Sequence, residues 1–240
     1  MGKAKILTIA GLGTGNPELV SFAAVNSAKR SDLVLLPRAN PEKSGVAEKI
    51  ILAHVPELKY HTLTFPMILD ISERNSLIKS QLENLRHELQ VASEIFFAVI
   101  GDSSLYSTGK YLCESLRDLN LDFELRLIPG ISAHSVAAAC ARKFLAAGDE
   151  ILAIIPGTAE VSKIARALEN SDCVAIYKPT ALGNIREIIN PELWEISRVD
   201  YAGLPNEKIF HGEAALENIH AYLSILLLSK MSKKFVKCLD

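Results

Sequence analysis

Apolar positions follow two rhythms along this chain. Short runs rich in β-branched and aromatic residues recur at 6–9, 33–36, 59–63, 95–100 and 122–128. A second set follows at 151–155, 173–177, 196–201, 208–211 and 222–228. Between them apolar residues recur at helical spacing. The plainest stretch is 72–92, where Ile78, Leu82, Leu85 and Leu89 form one stripe and predict a single long helix. Asn16-Pro17-Glu18 predicts another helix start, with Asn as cap, Pro at the first helical position and an acid in the first turn.

Strand alternating with helix predicts an α/β architecture. The Pro129-Gly130 pair marks a turn between two sets of five predicted strands. Two α/β domains are expected, 1–128 and 129–240, with a cleft between them. The first sheet should be mostly parallel. The second should be mixed, because Pro205-Asn206 separates two strand-like runs closely enough for an antiparallel hairpin.

Composition narrows the function classes. The chain has 240 residues, 26 Lys and Arg against 28 Asp and Glu, and a net charge of −2. Nucleic-acid binding would need clustered bases and a basic pI, and the only basic cluster is the tail Lys230, Lys233, Lys234 and Lys237. Cys113, Cys140, Cys173 and Cys238 form no C-x-x-C pair, which suits a reducing cytoplasm. No apolar run is long enough for a membrane span, and the N-terminal run is too short for a signal peptide. His54, His61, His87, His211 and His220 show no ligand spacing, so no protein-bound metal is expected.

Chemistry concentrates in three loops that follow predicted strands. The first is Gly11-Leu12-Gly13-Thr14-Gly15, the second runs from Gly101-Asp102-Ser103-Ser104 to Leu105-Tyr106-Ser107-Thr108, and the third is Pro129-Gly130-Ile131-Ser132-Ala133-His134. Ligands of open α/β sheets gather beyond the carboxyl ends of strands, and small residues let the backbone approach them closely. A nicotinamide fingerprint is disfavoured. Its third glycine would fall on Asn16, and the second strand ends Leu36-Pro37-Arg38 rather than on an acid.

Taken in order and spacing, the three loops resemble the tetrapyrrole methylase family over essentially the whole chain. The first continues as Asn16-Pro17-Glu18-Leu19-Val20-Ser21, the second opens with Gly101-Asp102, and the third reads Ile128-Pro129-Gly130-Ile131-Ser132. Within the family, the 101–108 loop and Phe65-Pro66-Met67 are similar to the branch that methylates carbon 20 of precorrin-2 or its cobalt-containing counterpart. Three positions depart from the family pattern: Thr14 and Ser103 stand where proline is usual, and Asn16 where an acid is usual.

The resemblance implies S-adenosylmethionine as cofactor, held in the cleft mainly by main chain. Matching positions are Thr14, Ile100, Gly101, Asp102, Leu105, Ser132 and Ala133, then Tyr177 or Lys178, Ala202 and Ser224. Asp102 is placed to accept from cofactor donors or, alternatively, to cap the following helix. The substrate would be a reduced tetrapyrrole rich in carboxylates, for which Arg38, Lys43, Lys110, His134 and Arg142 are candidate partners. No residue stands out as the proton acceptor. Tyr106 is the candidate for orienting substrate or for filling the cleft wall. Any cobalt would belong to the substrate, and a cytoplasmic homodimer is implied. Other readings kept open are methylation of another tetrapyrrole position or of uroporphyrinogen III, and a non-catalytic or nicotinamide-binding α/β protein.

Overall fold

The computed structural model describes residues 5–66 and 70–231. Met67, Lys233, Lys234, Lys237 and Cys238 lie outside the described residues. Two compact units divide the chain between Ser132 and Ala133.

The first unit carries strands β1 (Ile6–Gly11), β2 (Leu33–Arg38), β3 (His61–Thr64), β4 (Glu94–Val99) and β5 (Glu124–Ile128), ordered β3-β2-β4-β1-β5 and parallel throughout. Period-two alternation sends neighbouring residues to opposite faces. Ile9, Leu35 and Phe97 pack under α3 (Ile71–Asn84), α4 (Arg86–Val91) and α5 (Gly109–Asp118). Ala10, Leu36 and Phe96 pack on the other face under α1 (Phe22–Arg30) and α2 (Val46–His54). Covered on both faces, the central strands read as continuous apolar runs.

Two helix expectations are corrected. The predicted 72–92 helix breaks at Leu85, whose φ is −104° and whose N–H bonds back to Leu82 O at 3.1 Å. This three-residue tightening turns the next segment so that Leu89 joins Ile78 and Leu82 in one core. Arg86 clasps the Glu83 carboxylate across the break at 2.6 Å and 2.7 Å. At the N-terminus, Asn16 caps only a 3-10 turn, Pro17–Leu19, by accepting from Glu18 N. The helix itself starts at Phe22, capped by Ser21, whose hydroxyl accepts from Ala24 N at 3.2 Å.

The second unit opens with α6 (Ala133–Cys140). Its sheet is built from β6 (Leu152–Pro156), β7 (Cys173–Tyr177), β8 (Trp194–Asp200), β9 (Lys208–His211) and β10 (Ser224–Lys230), ordered β6-β7-β10-β8-β9. β6 pairs parallel with β7, and the other pairings are antiparallel. The expected hairpin across Pro205-Asn206 is β8 to β9, with Asp200 opposite Lys208. Between β6 and β7, α7 (Val161–Asn170) lays Ile164 and Leu168 on Val174, Ile176 and Trp194. A short α8 (Ile185–Ile188) follows β7.

Candidate cofactor site

Strands β4, β1 and β5 are neighbours in the first sheet, so the loops after them leave from one edge. Gly13 and Gly101 form an isolated two-way bridge: Gly101 N donates to Gly13 O at 2.7 Å, and Gly13 N to Gly101 O at 3.2 Å. Both have φ of +74°, which glycine adopts without a steric penalty. A Cβ on Gly11 would lie 2.6 Å from both Gly101 O and Gly130 N, and one on Gly130 would overlap Gly101 O and the Gly11 carbonyl. The glycines therefore let three backbones touch one another and form a ledge of main chain.

Asp102 fastens that ledge. Its Oδ2 accepts from Gly130 N at 3.0 Å, while Oδ1 accepts from Ser104 N at 2.8 Å and from the Ser104 hydroxyl. Burial pushes the Asp102 pKa upward. Hydrogen bonds from the Ser104 hydroxyl and from the Ser104, Gly130 and Ser103 amides outweigh that and hold it below the usual carboxylate range. The Ser103 amide could not contribute if proline stood there. The helix-cap alternative for Asp102 is not realised, because α5 begins at Gly109, whose N–H donates to Ser107 Oγ at 3.0 Å.

Thr14 is 6 % exposed, and its hydroxyl oxygen is sealed with no hydrogen-bond partner among the described residues. Ile100 and Leu105 flank Asp102 in the second loop, and Ser132 ends the first unit. Tyr106 is 46 % exposed with φ of +51°, a conformation costly for a bulky residue. Burial of part of its ring raises the phenol pKa.

In the second unit Ala133 starts α6. Tyr177 ends β7 and Lys178 follows it, Ala202 follows β8, and Ser224 starts the antiparallel β10. The register sets Ile225 opposite Tyr177 and Ser224 opposite Asp200, so all four positions share one sheet edge. Lys178 and Tyr201 turn off their strands with φ of +53° and +55°. Gly157 N donates to Tyr177 O at 2.6 Å. The Ser224 hydroxyl donates to Asp200 Oδ1 at 2.6 Å.

That carboxylate belongs to a buried network the sequence reading missed. Arg198 is 1 % exposed; its Nε lies 3.1 Å from Asp200 Oδ1, too bent for a hydrogen bond. One terminal nitrogen donates to Ala215 O at 3.0 Å and Glu217 O at 2.6 Å, and the guanidinium carbon sits 4.1 Å above the Phe210 ring. A signal existed: Arg198 and Asp200 alternate with Ile196 on one face of a predicted strand, where opposite charges two apart imply a buried pair.

The basic candidates separate. Arg38 forks onto the buried Glu48 carboxylate with two 2.8 Å bonds, so its donors are committed within the first unit. Tyr60 and Gly45 N complete Glu48. Lys43 is exposed in the loop after β2, and Lys110 faces Glu114 at 3.8 Å on α5. His134 Nδ1 lies 2.8 Å from the Tyr177 hydroxyl, which also accepts from His134 N at 3.3 Å. Arg142 is exposed beyond the far end of α6, away from His134 at its start. Among the described residues no cluster of three metal-ligating side chains occurs, and no helix is long and apolar enough to cross a membrane.

The family model for tetrapyrrole (corrin/porphyrin) methylases matches residues 6–217. The chain is similar to the probable cobalt-precorrin-2 C(20)-methyltransferase of Methanocaldococcus jannaschii, 27 % identical over 93 % of this chain and 95 % of that one. It is similar also to the cobalt-precorrin-2 C(20)-methyltransferase of Salmonella typhimurium, 25 % identical over 91 % and 93 %. Among solved structures, a putative cobalamin synthesis related protein (CobF) from Corynebacterium diphtheriae shares the fold. Its TM-score is 0.76 at 18 % identity, over 95 % of this chain and 100 % of that one.

Proposed function

Because the chain belongs to the tetrapyrrole (corrin/porphyrin) methylase family, we propose that it methylates carbon 20 of cobalt-precorrin-2 or of precorrin-2, with S-adenosylmethionine as methyl donor. The observation that carries the branch is the likeness to C20-methyltransferases over more than nine-tenths of both chains. Solved structures at 16 %, 18 % and 19 % identity speak for the fold alone.

The first unit fits such a cofactor. In its ledge Gly11 and Gly130 have no room for a Cβ, Gly101 turns with φ of +74°, and the sealed Thr14 hydroxyl lacks a partner among the described residues. Thr14, Ile100, Gly101, Asp102, Leu105, Ser132 and Ala133 would hold the cofactor, and by the same resemblance Tyr177 or Lys178, Ala202 and Ser224. Once bound, the cofactor supplies an activated sulfonium methyl. The chain's own task is positioning, which accounts for much of the rate in such a transfer. Asp102 is a weak base, since hydrogen bonds hold it ionised below the usual range. It acts by keeping the second and third loops together. Tyr106, its pKa raised, stays protonated at neutral pH and can orient substrate as a donor. Arg38 is left out of the carboxylate contacts because Glu48 holds it. A cytoplasmic homodimer is part of the same proposal, and light scattering tests the assembly.

Incubation with labelled S-adenosylmethionine and each tetrapyrrole, followed by NMR of the product, tests the reading. Label at C20 is expected. Label at another carbon moves the chain to a different branch, and no transfer to any tetrapyrrole removes the reading.

A further inference from the structure

Arg74, in the first turns of α3, has no ion-pair partner among the described residues. Its guanidinium carbon sits 3.8 Å from the centroid of the Tyr111 ring. Its Nε is sealed from solvent and has no hydrogen-bond partner among the same residues. The next residue repeats the pattern: Asn75 Oδ1 is also sealed and also lacks a partner there. Buried polar atoms of native proteins are satisfied as a rule, so two adjacent orphans call for an explanation.

For Arg74, its place in the fold bears on the question. Gln81 ties α3 to the end of β3, accepting from Thr64 N at 2.7 Å and donating to Thr64 O at 3.0 Å. α3 runs from that end of the sheet back toward the start of β4. Arg74 comes seven residues before Gln81, about 10 Å further along the helix at 1.5 Å per residue. It therefore stands beyond the carboxyl edge of the first sheet, the edge from which the glycine loops leave. Tyr111 is a firm support there, since it lies in the first turn of α5 and packs against the apolar cluster around Phe97 and Leu112.

We propose that Arg74 binds a carboxylate of the tetrapyrrole substrate, with Tyr111 as the platform that fixes the plane of the guanidinium. The substrate class rests on the methyltransferase reading above. A guanidinium stacked on an aromatic ring keeps its edge of N–H donors for a planar, two-oxygen acceptor. Fixed before binding, it loses little rotamer freedom when the carboxylate arrives. The carboxylate would meet the two terminal nitrogens, which are not sealed and for which no described residue is an acceptor, while Nε stays enclosed.

The test compares wild type, Arg74→Ala and Arg74→Lys in three measurements: KM for cobalt-precorrin-2, affinity for uroporphyrin III by fluorescence quenching, and affinity for S-adenosylhomocysteine by calorimetry. Arg74→Ala is expected to raise KM and weaken uroporphyrin binding by roughly ten- to a hundred-fold, the loss of a charged hydrogen-bonded contact. Affinity for S-adenosylhomocysteine should stay within about twofold, since the deleted contact is made to the tetrapyrrole alone. Arg74→Lys keeps the charge and the stem, so it should fold even if the alanine variant does not. It should recover only part of the affinity, because the fork is gone. Unchanged tetrapyrrole affinity in both variants overturns the proposal, and so does an equal loss of S-adenosylhomocysteine binding, which marks a structural role. Failure of the function reading looks different: wild type itself then gives no turnover, while the uroporphyrin ratio still reports on Arg74.

Discussion

The Asp102 carboxylate accepts the Gly130 amide at 3.0 Å across 28 residues of chain. It joins the loop after β4 to the loop after β5, although β1 lies between those strands in the sheet. Asp102→Ala should leave the Gly130 and Ser104 amides without their acceptor. S-adenosylhomocysteine affinity is expected to fall about tenfold, in line with the worth of hydrogen bonds to a charged group; calorimetry measures it. The pH dependence follows from the lowered pKa. The carboxylate contributes stability above its unfolded pKa, and that contribution disappears as pH falls through the lower folded pKa. Asp102→Asn should therefore show a shallower loss of stability in acid than wild type, as followed by urea denaturation at stepped pH.

Gly130→Ala puts a methyl group into the Gly101 and Gly11 backbones. Backbone cannot rotate away as a side chain can, so a loss of about 1–3 kcal/mol is expected from overpacking, together with weaker S-adenosylhomocysteine binding. Gly148→Ala is the control. It meets no atom within 4 Å and suffers only from its φ of +58°. It should lower the denaturation midpoint slightly and leave ligand affinity unchanged.

The Thr14 hydroxyl separates folding from binding. Being sealed and without a partner among the described residues, it adds nothing to the stability of the ligand-free protein. Thr14→Val, which keeps the shape, should leave the melting temperature unchanged or slightly raised. S-adenosylhomocysteine affinity should drop by up to about tenfold, the value of one hydrogen bond. A fall in stability with unchanged affinity would make Thr14 a packing residue only.

Arg198→Met leaves Asp200 buried beside Ser224 without its counter-charge. Breaking a buried pair on one side costs about 3–5 kcal/mol, which urea denaturation resolves. Arg198→Met combined with Asp200→Leu should recover a large part of that loss, because no uncompensated charge remains.

Legibility varied with the range of the interaction. Every β-rich run became a strand, because period-two burial and turn residues act locally. The stripe of Ile78, Leu82 and Leu89 was also readable, but the break at Leu85 was not. No glycine or proline marks it, and only the fit to the sheet requires it. Asn16-Pro17-Glu18 has the sequence of a helix start yet caps a single 3-10 turn, since the same cap chemistry serves both. Arg38 looked like a free cation because its partner, Glu48, lies ten residues away on α2.

By itself, the sequence determined two α/β units, the parallel and mixed sheets, and three glycine-bearing loops at strand ends. What those glycines do was decided only in three dimensions. Gly11 and Gly130 are small because the Gly101 carbonyl and each other's backbone fill the space a Cβ would need, and Asp102 is bound to Gly130. Both facts follow from β1 lying between β4 and β5. Strand order is a property of how distant segments pack, and local patterns of apolar and polar residues do not encode it.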